Sequence, residues 1–246
     1  MKKEQIAEYG RTLSVPVYDV GPDDKLKLGS VLRLSQETSE QHIHRMGAGY
    51  EEMRRKTGMV FFIISTRIRI RRLPVHAETI TIRTHPRGRG GAQFYRDFLF
   101  YDKNENMIIS VLQTTVVADS ATHKVLRPQT IRQFGIYPEE IVPPEKRMGR
   151  LEIPRELLFR GERKVFYSDL DANGHMNNSV YGDVISDFLP QKIIEGMKEV
   201  QIHYIAEAEK GDIVKIFGGE TGACYFLRGD TPRGISFTAE VRTDIK

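Results

Sequence analysis

Cysteine is nearly missing. Cys224 stands alone among 246 residues, so no disulfide can form within the chain, and a structural zinc or iron–sulfur site lacks its usual ligands. Long apolar runs are missing too: the longest, Met59 to Ile64, falls far short of the ~20 residues that a membrane-spanning helix needs. No apolar stretch follows the charged start MKKEQIAEYG, so no secretory signal is read there and cytoplasmic residence is expected. Neither sign of charge dominates. The 37 Lys and Arg against 33 Asp and Glu leave +4, a mild excess that suits an acidic partner better than nucleic acid. Phosphate-binding and zinc-hydrolase motifs do not occur. GRGGAQF, Gly88 to Phe94, lacks the Lys-Ser/Thr ending of a P-loop and opens a strand, so it reads as a turn. The histidines show no metal-ligand spacing, and no metal is expected.

With 39% apolar and 28% charged residues, the chain can bury one large core or two modest ones. Its patterning suggests two. A first strand reads over Arg11 to Tyr18. A helix then starts at Gly29 and Ser30 and carries Val31, Leu32, Ile43, Met46, Tyr50 and Met53 on one apolar face, weakened in its middle by Gly47 and Gly49. From Met59 the period becomes two: Ile64, Thr66, Ile68 and Ile70 alternate with Ser65, Arg67, Arg69 and Arg71, which predicts a strand with one wet face. Three further strands follow to Val117, with a hairpin turn at Asp102 to Asn106. The proline-bearing stretch 128–154 reads as a linker. Strand, short helix (Val180 to Leu189, closed by Pro190) and four strands then recur, ending at Val241.

The densest polar signal is DLDANGHMNN, Asp169 to Asn178, between a strand and the short helix. Asp171, Asn173 and His175 alternate, so an extended loop can aim all three into one cleft. Asn177, Asn178 and Ser179 suit a helix cap, whose unsatisfied N–H groups can hold an anion or a developing oxyanion. An elaborate helix cap with an Asx-turn explains the same residues without chemistry. Glu207, at the end of the strand holding Ile202 and Tyr204, is a surface charge unless the sheet brings it beside His175, where it can serve as a base. The row Arg67, Arg69 and Arg71 reads either as simple solvation or as a guide for an acidic or phosphate-bearing partner. Cys224, within ACYFL, reads as a buried, inert thiol.

At Asp171, Asn173, His175, Asn177 and Asn178 the chain resembles the acyl-acyl carrier protein thioesterases of plants and bacteria, with their D-x-N-x-H-x-N-N signature. The resemblance continues at Tyr204 to Glu207, matching that family's Tyr-x-x-Glu, and runs through nearly the whole chain. It implies an α+β tandem (double) hotdog: two antiparallel sheets, each wrapped around a helix. The expected divisions are a first domain over 1–127 holding the acyl pocket, a linker over 128–154, and a second domain over 155–246 carrying the catalytic motif. The implied reaction hydrolyses fatty acyl-carrier protein to free fatty acid, without cofactor or metal.

The resemblance assigns Asp171, Asn173, His175 and Glu207 to the catalytic network. Asn177 and Asn178 serve as oxyanion or loop support, and Ile43, Met46, Tyr50 and Met53 line the acyl chain. Arg67, Arg69 and Arg71 would dock acyl carrier protein with its phosphopantetheine arm. Plant members often carry cysteine after the glutamate, whereas this chain has Ala208, which cannot form an acyl-enzyme. Water attack with Glu207 as general base is therefore expected. His175 can stabilise the oxyanion, protonate the leaving sulfur, or position Glu207. Paired units within one chain are compatible with a monomer or a further homodimer. An acyl-CoA hydrolase, a noncatalytic acyl-binding module and a dehydratase-like module remain alternatives.

Overall fold

The structure, a computed structural model, describes residues 8–47, 49–127 and 148–244, with the backbone alone at 50–53. The first half contains β1 (Tyr9–Ser14), α1 (Leu28–Arg45), α2 (Tyr50–Thr57), β2 (Met59–Ile70), β3 (Thr79–Gly90), β4 (Gln93–Tyr101) and β5 (Met107–Asp119). The second contains β6 (Leu158–Lys164), α3 (Val180–Asp187), α4 (Gln191–Gly196), β7 (Glu199–Tyr204), β8 (Ile213–Thr221), β9 (Cys224–Thr231) and β10 (Gly234–Arg242). All ten strands form one antiparallel sheet in the order β1-β3-β4-β5-β2-β7-β10-β9-β8-β6. Read from its outer edge, each half has the same order, first, third, fourth, fifth, second. The halves join where β2 pairs with β7, from Ser65↔His203 to Arg69↔Glu199.

Period-two alternation decides which face is dry. Ile68, Ile70, Ile80, Ile82, Phe98, Phe100, Ile109 and Val111 are all buried and belong to one core that also takes in Val200, Ile202, Val214, Ile216 and Leu227 of the second half. Helix α1 lays Leu28, Val31, Leu32 and Leu34 into this core. Two of its buried hydroxyls are satisfied within the helix, Ser35 donating to the Val31 carbonyl at 2.8 Å and Thr38 to that of Leu34 at 2.6 Å, while Ser30 donates to Asp19 Oδ1 at 2.8 Å. Where α1 meets α3, glycines permit backbone contact: a Cβ on Gly182 would lie 2.8 Å from the Gly29 N and Cα atoms. Arg33 crosses the same junction to Asp183 at 2.8 Å.

Several local expectations change. The single long helix is two, because Gly47 turns left-handed at φ 72 and separates α1 from α2. The first strand stops at Ser14, and a short 3₁₀ turn takes Val17–Asp19. Pro190, expected as a stop, also precedes a further helix, α4, at its N-cap. The arginine side of β2 is not simply wet. Leu112 and Thr114, which pair with Arg67 and Ser65, are buried. In the second half, residues of the segment after 147 reach the sheet: Gln201 donates to the Gly149 carbonyl at 3.1 Å, and Leu157 lies against Gly219. Most of the expected linker, 128–147, lies outside the described residues. Among those described, no helix is long and apolar enough to cross a membrane.

Candidate active site

The polar motif is a loop organised by its own carboxylate. Asp169 closes a 3₁₀ turn after β6, accepting from the Phe166 N–H at 2.9 Å and from Arg163 at 2.7 Å. Asp171 Oδ1 then accepts the N–H groups of Asn173 at 2.8 Å and His175 at 3.3 Å, while its own N–H donates to the His175 carbonyl at 2.8 Å. Gly174, at φ 83, supplies the left-handed residue such a turn requires. Asn177 forms an Asx-turn ahead of α3, its Oδ1 accepting from the N–H of the N-cap residue Ser179 at 2.9 Å and from its hydroxyl at 2.8 Å. The Asn177 N–H is itself bound to the Asp169 carbonyl. Asn178 faces the cleft.

Met176 N–H donates to the Ala208 carbonyl at 2.7 Å, and His175 bridges Glu209, which ties the loop to the segment after β7. Glu207 lies on that segment, three residues past the strand end. Its backbone course is fixed by Ser236, whose carbonyl accepts from Ile205 and Ala206 and whose hydroxyl donates to the Ala206 carbonyl at 2.8 Å. The Glu207 carboxylate reaches His175, Oε1 to Nδ1 at 3.3 Å. Its other oxygen stands 3.4 Å from Nδ1 of His123. The two imidazole rings are 6.0 Å apart and nearly perpendicular.

These groups open on a cleft of about 400 Å³. Phe61, Phe62, Ile63, Ile64, Val116 and Val125 line it from the first half, and Met176, Tyr181, Tyr204 and Ile205 from the second; Asp171, Asn173, His175, Asn178, His123 and Glu207 supply the polar atoms. A bulge between Ile63 and Ser65 in the β2–β5 pairing interrupts the alternation beside the cleft, where four consecutive residues line the wall. Burial pushes the Tyr181 phenol up to about 12, although the Ser236 hydroxyl at 2.9 Å opposes the shift. Burial also raises Tyr204. Both rings therefore remain neutral at physiological pH.

The structure thus brings Asp171, Asn173, His175, Asn178 and Glu207 together. The remaining sequence candidates fall elsewhere. Ile43 and Met46 pack with Met59, Phe94 and Val117 in a separate small core; Phe61 joins that core to the cleft, so they stand behind the lining. The side chains of Tyr50 and Met53 lie outside the described residues. Arg69 pairs with Glu199 at 2.7 Å, Arg71 approaches the Met107 carbonyl at 3.4 Å, and burial followed by Arg69 lowers the proton affinity of Arg67. None of the three lines the cleft. Cys224 also lies elsewhere, on β9 beside Glu240 at 3.4 Å, where burial raises its thiol. Ala208 is wholly buried.

Sequence reasoning missed His123. It sits in the turn after β5, left-handed at φ 56, with no motif around it. The first half also holds a copy of the loop that the sequence did not reveal. Gly21 N–H donates to the Lys25 carbonyl, Lys27 N–H to Asp19, and Leu26 N–H to Pro74, matching Asp171 to His175, Asn177 to Asp169, and Met176 to Ala208. Gly21, Asp23 and Lys25 occupy the positions of Asp171, Asn173 and His175, and Leu73 that of Glu207. The backbone is repeated without the functional groups.

Two half-sheets joined edge to edge, with α1 and α3 meeting against their shared core, define a double hotdog. The same fold occurs in an acyl-ACP thioesterase from Bacteroides thetaiotaomicron (TM-score 0.83, 19% identity, 98% of this chain and 99% of that one). It also occurs in the 12:0-ACP thioesterase from Umbellularia californica (TM-score 0.83, 19% identity, 96% of each chain). The profile of the acyl-ACP thioesterase N-terminal domain matches residues 7–131, and that of the C-terminal domain residues 156–242. The chain belongs to the acyl-ACP thioesterase family. Relatives include the chloroplastic dodecanoyl-[acyl-carrier-protein] hydrolase of Cinnamomum camphora, 23% identical over 237 residues, covering 87% of this chain and 61% of the relative. The chloroplastic oleoyl-acyl carrier protein thioesterase 2 of Arabidopsis thaliana is 24% identical over 225 residues, covering 84% of this chain and 61% of the relative. The chain therefore spans about three fifths of the length of these curated relatives.

Proposed function

We propose that the protein hydrolyses the thioester of a fatty acyl chain carried on acyl carrier protein, releasing the free acid and the carrier thiol. The observation that carries this reading is the Glu207 carboxylate, held 3.3 Å from His175 at the rim of a mostly apolar cleft in a chain of this family. Glu207 takes a proton from water as the water oxygen bonds to the thioester carbonyl carbon, with Asn173 helping to place the water. The tetrahedral oxygen is stabilised by the His175 ring or by N–H groups near Asn178. Collapse breaks the carbon–sulfur bond, and the proton held by Glu207 passes to the departing thiolate. Asp171 acts through the loop, aiming Asn173 and His175. Wholly buried Ala208 leaves no nucleophile beside the carboxylate, which favours direct attack by water.

The test offers purified protein acyl-carrier proteins and acyl-CoAs of graded chain length and measures free thiol. The reading expects thiol release from acyl-carrier protein at higher kcat/KM than from the matching acyl-CoA. Preference for acyl-CoA would assign a metabolite hydrolase. Acyl binding without thiol release would assign a noncatalytic module.

A further inference from the structure

Glu207 is approached from both halves of the molecule. His175 reaches one carboxylate oxygen from the loop before α3, and His123 reaches the other at 3.4 Å from the turn after β5. That turn is held firmly. Asp119 Oδ1 accepts the N–H of Ala121 at 3.1 Å, the N–H of Thr122 at 2.8 Å and the Thr122 hydroxyl at 2.8 Å, while the His123 N–H donates to the Asp119 carbonyl at 2.9 Å. The turn so pinned, closed by the i to i+4 bond from His123 to Asp119, keeps His123 at φ 56, a left-handed conformation that asparagine, aspartate and histidine adopt more readily than other non-glycine residues. The ring is oriented by the edge of Phe62, 5.3 Å between centroids and 73° between planes, and stands across the His175 ring.

We propose that His123 is a positioning residue for Glu207: its Nδ1–H holds the oxygen that His175 does not, so each half supplies one hold on the base. The role rests on the hydrolase reading above. A glutamate side chain has three rotatable bonds, and a carboxylate gripped at one oxygen swings about that contact. Gripping both oxygens fixes its plane and keeps its lone pair aimed at the water, raising the fraction of encounters that are competent. The effect belongs to the chemical step, so it moves kcat and leaves acyl-chain binding alone. The second contact comes to Glu207 across the seam between halves, and in the silent copy Leu73 stands where Glu207 would receive one.

The test uses the intact chain and two substitutions that tolerate the left-handed turn. H123G removes the imidazole without straining the backbone, and H123N keeps an N–H donor near the same place. The proposal expects H123G to lower kcat about tenfold with KM unchanged, and H123N to recover most of the loss. In an E207Q background H123G should cause no further loss. In wild type, ring ¹⁵N resonances should show the Nδ1–H form of His123, and E207Q should shift them. Full activity in H123G, failure of H123N to rescue, or an equal loss in the E207Q background would overturn the role. Wild-type protein that releases no thiol sinks the hydrolase reading and the kinetic role with it; ring resonances indifferent to E207Q sink the pairing itself.

Discussion

Asp171 has no direct part in bond making in this account, yet its carboxylate fixes two of the groups that do. Oδ1 accepts from the N–H of both Asn173 and His175, and a neutral amide oxygen can accept the same bonds. D171A should therefore lower kcat at least about tenfold, whereas D171N should retain more of it, as loss of a local hydrogen-bonded turn predicts. Equal losses in steady-state assays would mean that the charge, and not the turn, matters. The acids and amides of this site were legible because they lie within eight consecutive residues. Glu207 was legible through the family resemblance of Tyr204 to Glu207, and not from its own neighbourhood, since nothing local says which face of the sheet it joins. His123 was not legible at all: 84 residues separate it from Glu207 in the sequence, and only the β2–β7 seam makes them neighbours.

Among the elements, strands were easier to read than helices. Alternation such as that of Thr66, Arg67, Ile68 and Arg69 marks a strand wherever one face is dry. The break between α1 and α2 depends on the conformation of Gly47, and α4 is six residues long, too short for periodicity to register. The close approach of α1 and α3 left a trace in Gly29 and Gly182 that gains meaning only when the helices are seen to touch. G182A would press a methyl group onto the Gly29 backbone, which cannot swing aside as a side chain can. It should cost about 1–3 kcal/mol in urea unfolding, as overpacking does. A change within ~0.5 kcal/mol would mean the helices separate freely.

At the scale of the whole molecule, one core runs through both halves and the seam strands pair along five residues. The chain should therefore unfold in a single transition, with far-ultraviolet circular dichroism and tyrosine fluorescence coincident. Two separated transitions would show that the halves are independent. The seam also carries a pH dependence. Burial, ahead of the nearby Arg150, lowers the proton affinity of His203 below the ordinary imidazole value of 6.5. The unfolded chain then binds a proton that the fold refuses, so this contribution to stability is complete above that value and declines as pH falls through it. H203Q should flatten the loss of urea stability between pH 7.5 and 5.5; an unchanged slope would remove His203 as its source.

The measurement that bears most directly on the account is single-turnover thiol release from fatty acyl-carrier protein by wild type and by E207Q, at equal folded concentration and saturating enzyme. Replacing a general base by its neutral isostere should slow the wild-type rate by ~10² or more while carrier binding persists. An E207Q rate within a few fold of wild type would contradict the assignment of Glu207 as the group that activates water.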